Sequence, residues 1–277
     1  MNWPTGKGLF RACAGLLNCK TLLSVLSLLV LVGAYAALSH RQHTVNPDDT
    51  TIPGFSQLVD GVKKAAEVNA RSEERWLAVD AVASLKRLGM AMGISIAGSI
   101  ILGLLMGYFE LAEAWFLPPL SLLAKIPPTA AMAVFFVMVG TDTPMYVAMI
   151  TFGVLPTLTQ TVYLAVKDVP EENLQKALTL GASRGEILWC VIFSQIRPRL
   201  VDAIRLQIGP AIIYLIAAEM VVGDAGFGYR IRMQSRLLNM NVVYVYLALL
   251  AGFGFVVDAL LKGLVRLWCP WYARGRG

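Results

Sequence analysis

Few residues of this 277-residue chain are spaced for covalent chemistry. Its two histidines, His40 and His43, stand H-x-x-H. That spacing can supply two corners of a metal site, but no third ligand completes the set, and a solvated loop suits the pair better. Cys13, Cys19, Cys190 and Cys269 contain no C-x-x-C pair and do not suggest a disulfide framework. No H-E-x-x-H and no G-x-S-x-G occurs, and no G-x-x-x-x-G-K-[ST] is present to cradle nucleotide phosphates. Glu219 and Asp258 are the acids inside the long apolar runs, and two isolated carboxylates do not make an acid–base pair. The expectation is no catalytic residue, no metal site and no cofactor bound by this chain.

The polar residues that do cluster lie between two apolar runs, at residues 167–200. Pro170 stands where a helix can begin, and Glu171 and Glu172 favour its N-terminus by charge. Gly181 offers a left-handed end to that helix. Ser183 and Glu186 have capping-box spacing, so a second short helix is expected through Ile187, Leu188 and Val191. The pattern is helix, glycine elbow, helix, held outside the lipid. It is a docking surface rather than a reaction site, centred on Gln175, Ala177, Gly181, Ala182, Ser183 and Glu186.

This elbow resembles the coupling loop of binding-protein-dependent ABC importer permeases, whose signature is E-A-A, three residues, G, nine residues, I-x-L-P. Laid on Gly181, the chain offers Gln175, Lys176 and Ala177, then Val191, Phe193 and Ser194, and departs from the signature at all but Ala177 and the glycine. The segments LGASRGEI, AKIPPTAAMAVFFVMVG and AAEMVVGDAGFGYRI are similar to the nitrate/sulfonate/taurine branch of that family, in the same order from about Ile52 to Asp258. The resemblance implies a transport subunit, not an enzyme. It also implies a second copy of the chain, a separate ABC ATPase carrying ATP and Mg, and a periplasmic binding protein that delivers the solute.

Composition agrees. Fifty-seven per cent of residues are hydrophobic, 15% are charged and the mean hydropathy is +0.63, outside the range of soluble domains. The class is an all-α polytopic membrane protein embedded in a lipid bilayer. The net charge of +6 is scattered through loops rather than gathered on one face, which argues against nucleic acid and for cytoplasmic loops on an anionic leaflet.

In chain order, residues 1–39 read as a cytoplasmic N-terminus and a first span at Thr21–Ser39. A cleaved leader is the other reading, since Ala34-Tyr35-Ala36 supplies a cleavage pattern; the length of the apolar run favours a retained span. Residues 40–87 read as an external loop, amphipathic from Phe55. The core, 88–266, holds five more spans, giving six with both termini cytoplasmic in a bacterial inner membrane; 267–277 is a basic tail. In Leu88–Phe109, Gly89 with Gly93 and Gly103 with Gly107 let a neighbouring helix approach. Leu120–Gly140 is broken by Pro127-Pro128, so it is expected to lie against protein or water. Its Lys125 either snorkels to the interface or lines a path. Met145–Val166 contains Pro156, followed by Thr157, Thr159, Gln160 and Thr161, which bond freed carbonyls or line a channel. The fifth span, about Ile204–Val222, carries Glu219, a structural or gating residue, and Val242–Leu261 is the sixth.

Arg230, Arg232 and Arg236 fall on the outer side, against the positive-inside rule. Either they attract an anionic solute towards the path, or they contact the binding protein or lipid headgroups. A secondary transporter or channel not driven by ATP would share the broken helices and buried charge, but has no need of the elbow.

Overall fold

The computed structural model of the chain describes residues 17–45, 51–67 and 75–269, and every element in them is helical. Ten helices follow in order. They are α1 (Leu17–Val45), α2 (Phe55–Ala66), α3 (Trp76–Tyr108), α4 (Glu110–Leu123), α5 (Met132–Val139), α6 (Thr143–Lys167), α7 (Glu171–Thr179), α8 (Arg184–Val222), α9 (Phe227–Arg236) and α10 (Met240–Trp268).

Five of these are long and apolar enough to cross a bilayer: Val25–Thr44 within α1, then α3, α6, α8 and α10. The expected third span, Leu120–Gly140, is not one helix. Its residues form part of α4 and all of α5, helices of 14 and 8 residues separated by turns. Neither alone covers the roughly 20 residues that ~30 Å of hydrocarbon requires. Pro127 and Pro128 lack the N–H that would continue the ladder, and Pro127 disfavours helical backbone at Ile126. Among the described residues five helices are long enough to cross alone, and the third expected span is a broken pair rather than one helix.

The second span begins earlier than its apolar run. α3 starts at Trp76, not Leu88, and its 33 residues rise about 50 Å. One face explains the extension: Asp80, Ser84, Arg87, Ala91, Ser95, Ser99, Gly103 and Met106 are all buried at helical spacing. That face lies along α6, the most extensive helix pairing in the fold. A Cβ at Gly103 would sit 2.6 Å from Val162 Cβ, and one at Gly107 would collide with Val166. This glycine pair sets the α3–α6 approach. Gly89 and Gly93 differ, having nothing within 4 Å of an added Cβ.

Packing continues from α6 to α8 and from α8 to α9, while α2 and α9 lie on α10. At one end Leu104, Val162, Val166, Ile187, Ile192 and Ile196 form a core beneath the elbow. The middle is filled by Leu88, Ala91, Ile150, Val154, Leu158 and Leu215. At the other end Phe227, Ile231, Val242 and Tyr246 join α9 to α10.

Candidate functional site: an elbow and a polar clasp at opposite ends

The elbow forms as its residue types dictate. α7 opens after Pro170 with Glu171 and Glu172 in its first turn. It closes on Gly181, which has φ +84°. Ala182 N–H donates to Ala177 O at 3.1 Å and Gly181 N–H to Leu178 O at 2.9 Å, the paired bonds of a Schellman end. Ser183 then caps the next helix. Its Oγ accepts from Glu186 N–H at 3.3 Å, and Glu186 Oε2 accepts from Ser183 N–H at 2.7 Å and from Ser183 Oγ–H at 2.8 Å. Both halves of the capping box are therefore present.

The second helix of the elbow is not a separate short element. From Arg184 the chain continues through one π-helical stretch, Ile187–Ile192, into Phe193–Val222 without a break. Phe193 N–H reaches back five residues to Leu188 O. Residues 184–200, expected to belong to a loop, are the lower part of α8, so a displacement of the elbow acts directly on a span. Arg199 Nη1 donates to Asp168 Oδ2 at 2.6 Å and ties the base of the elbow to the end of α6.

Of the residues expected on the docking surface, Gln175, Gly181, Ser183 and Glu186 are exposed. Ala177 and Ala182 are half-buried and pack with Leu174 on the core below. Leu178, Leu180 and Trp189 are exposed apolar residues on the same elbow, Leu180 to 88%. The sequence reading passed over these three. Leu180 and Trp189 stand out of phase with the inward-facing Leu174, Ala177 and Ile187, whereas Leu178, four residues after Leu174, lies at the edge of that face.

The opposite end holds a buried network that the sequence reading did not assemble. Glu219, with 0% exposure, receives Ser84 Oγ–H at 2.8 Å, Arg87 Nη1–H at 3.0 Å and Gly228 N–H at 2.9 Å. Asp80, also 0% exposed, receives Gly226 N–H at 3.0 Å, Arg230 Nε–H at 2.8 Å and Tyr246 Oη–H at 2.9 Å. Arg87 also reaches Ala225 O at 2.7 Å and lies 4.1 Å from the Tyr146 ring centroid. Two carboxylates, two guanidiniums and the backbone of GDAGFG thus clasp α3, α8, α9 and α10 together. Asp80 counts among the acids of the long helices, which corrects the expectation that Glu219 and Asp258 are the only ones.

Arg230, Arg232 and Arg236, expected to face either a solute path or the binding protein and headgroups, are placed differently from one another. Arg230 is spent on Asp80 and on the Trp76 ring, 4.5 Å from its centroid. Arg232 donates to Val221 O at 2.7 Å and to Gly223 O at 3.1 Å, capping the last turn of α8. Arg236 is exposed and bonds to no described side chain. Asp258 is occupied as well, accepting from Arg205 Nε–H at 2.8 Å and from Lys262 Nζ at 2.6 Å.

Between the two ends, the threonines after Pro156 bond carbonyls of their own helix: Thr157 to Val154 O, Thr159 to Leu155 O and Thr161 to Thr157 O. At the elbow end Glu113 joins α4 to α6. Hydrogen bonds from Lys167, and then from Tyr163, hold its carboxyl below the ordinary carboxylate range. His43 turns its Nδ1 to Ser39 O at 2.8 Å, and the described residues include no group of three potential metal ligands. Cys13 and the basic tail after 269 lie outside the described residues.

Residues 99–268 match the family described as binding-protein-dependent transport system inner membrane component. The taurine transport system permease protein TauC of Escherichia coli K12 is 26% identical over 190 residues, 69% of either chain. The nitrate import permease protein NrtB of Synechocystis is 21% identical over 197 residues, 71% of this chain and 72% of the relative. Among solved structures, an inward-facing form of the MetNI methionine ABC transporter superposes with a TM-score of 0.57 at 19% identity, over 69% of this chain and 97% of the other. That last likeness is one of fold.

Proposed function

Because the chain belongs to the binding-protein-dependent transport system inner membrane component family, we propose that it is the membrane-spanning permease subunit of an ATP-driven importer for a small anionic solute. The observation that carries this reading is the elbow: a Schellman-terminated helix and a capping box present an exposed surface continuous with the span α8. A solitary secondary transporter or channel has no use for it. The taurine and nitrate permeases among its relatives support a solute that carries an oxyanion group. Two copies of the chain enclose the path, two ATPase subunits grip the elbows, and a periplasmic binding protein delivers the solute. ATP and Mg stay on the ATPase. This places the elbow and both termini in the cytoplasm and the Asp80–Glu219 clasp outside, with inward- and outward-facing states exchanged by rigid-body tilting of the spans.

The test is purification of the tagged permease from its native membrane, followed by reconstitution with the co-purifying subunits and the binding protein. An ATPase is expected to co-purify, and uptake of radiolabelled taurine or nitrate to require ATP. Uptake by the permease alone would overturn the reading.

A further inference from the structure

The break between α4 and α5 lies at a depth that can be read from its neighbours. Three contacts set α4 antiparallel to α6. Lys167 Nζ meets Glu113 Oε2 at 2.7 Å, and Gln160 Nε2–H donates to Ser121 Oγ at 3.4 Å. Pro128 packs so closely on Gly153 that an added Cβ would stand 2.6 Å from Pro128 Cγ. Lys125 falls between the second and third of these levels. The rise along α4 from Glu113 to its end at Leu123, two residues before Lys125, is about 15 Å, and that along α6 from Gly153 back to Thr143 is also about 15 Å. In ~30 Å of hydrocarbon this is close to the midplane. A lysine's four-carbon stem reaches neither interface from there, which removes the snorkelling reading.

Lys125 is exposed and has no ion-pair partner among the described residues. The backbone around it is irregular, held by turn bonds such as Lys125 N–H to Leu122 O at 3.1 Å and Ala130 N–H to Pro127 O at 3.0 Å. Thr129 and Ala130 are exposed too. Lipid tolerates neither a charge nor irregular backbone at that depth, whereas a water-filled cavity tolerates both. α6 and α8 add half-buried amides and hydroxyls, with Thr157 Oγ1 lying 3.3 Å from the Gln207 side-chain amide.

We propose that the α4–α5 break forms part of the wall of the water-filled translocation path, with Lys125 as its anion-attracting charge. The class of solute is a small oxyanion such as a sulfonate or carboxylate. A single ammonium attracts without clamping, and passage needs binding weak enough to release. The assignment rests on the permease reading.

The experiment uses the whole transporter in inside-out membrane vesicles, with Cys13, Cys19 and Cys269 changed to Ser and the exposed Cys190 kept as a labelling control. Thr129→Cys is introduced, and the rates of modification by anionic sulfonatoethyl and cationic trimethylammonioethyl methanethiosulfonate are compared. Both reagents are expected to reach the new thiol. The anion-to-cation rate ratio should fall about tenfold on adding Lys125→Gln and persist with Lys125→Arg. Labelling of Cys190 without labelling at position 129 in any nucleotide state would overturn the proposal. So would a ratio indifferent to Lys125→Gln. ATP-driven uptake of taurine and of nitrate by the unmodified complex is measured separately. Absent uptake with charge-selective labelling intact sinks the importer reading and spares the path, while intact uptake with no labelling at position 129 does the reverse.

Discussion

At the scale of single residues, the decisive group is Glu219. Burying a carboxylate is expensive unless its charge is met, and here it is met by Arg87, Ser84 and the backbone of Gly228. Glu219→Ala would leave Arg87 buried with only the exposed Asp224 as counter-charge. The expected loss is about 3–5 kcal/mol, seen as a lower melting temperature in detergent or as poor accumulation in the membrane. Arg236→Gln, at an exposed and unbonded position, should stay within about 0.5 kcal/mol. Gly226 answers to the same carboxylate. Its φ is +121° and a Cβ would collide with the Glu219 side chain, whereas Gly140, at φ +87°, has nothing within 4 Å. Gly140→Ala should therefore carry only the penalty of a backbone region reserved for glycine, about 1–3 kcal/mol, and Gly226→Ala clearly more. Equal melting shifts for the two would refute the collision.

At the scale of elements, the elbow and α8 are joined without a break. The π-helical stretch keeps Arg184–Val222 one continuous helix that runs from the capping box into the span. Gly181 is the turn between α7 and that helix. Gly181→Val puts a β-branched residue at positive φ and should reshape the turn, uncoupling ATP hydrolysis from uptake while the protein still reaches the membrane. Retained coupling would remove the elbow from the mechanism. Ser183→Ala removes one cap, costs about 1 kcal/mol, and should slow uptake much less. The broken α4–α5 pair is the other element that matters, because its irregular backbone needs water or protein beside it.

At the scale of the whole molecule, the described residues offer five helices long and apolar enough to cross a bilayer and a broken pair, with large apolar side chains such as Val137 and Leu206 exposed to 88% and 76%. Lipid covers such faces, but it does not suit the exposed Lys125. A second copy would complete a path around it. Native mass spectrometry of the purified complex should find two permease chains with two ATPase chains, and a single permease chain would defeat the homodimer.

Much of this was legible in the residues alone. Continuous apolar runs locate membrane helices because the bilayer requires satisfied backbone over a set length. Pro170, Gly181, Ser183 and Glu186 specify the elbow because caps and left-handed turns are local chemistry, decided within a few residues. The proline pair foretold a break in the same way. Tertiary structure alone decided what is made by distant segments: that Asp80 on α3 answers Arg230 on α9, and that Arg87 answers Glu219, more than a hundred residues away. It also tied two of the three arginines, Arg230 and Arg232, to partners within the protein. Hydropathy reports how much a segment prefers lipid, but only packing reports which partner a buried charge has found.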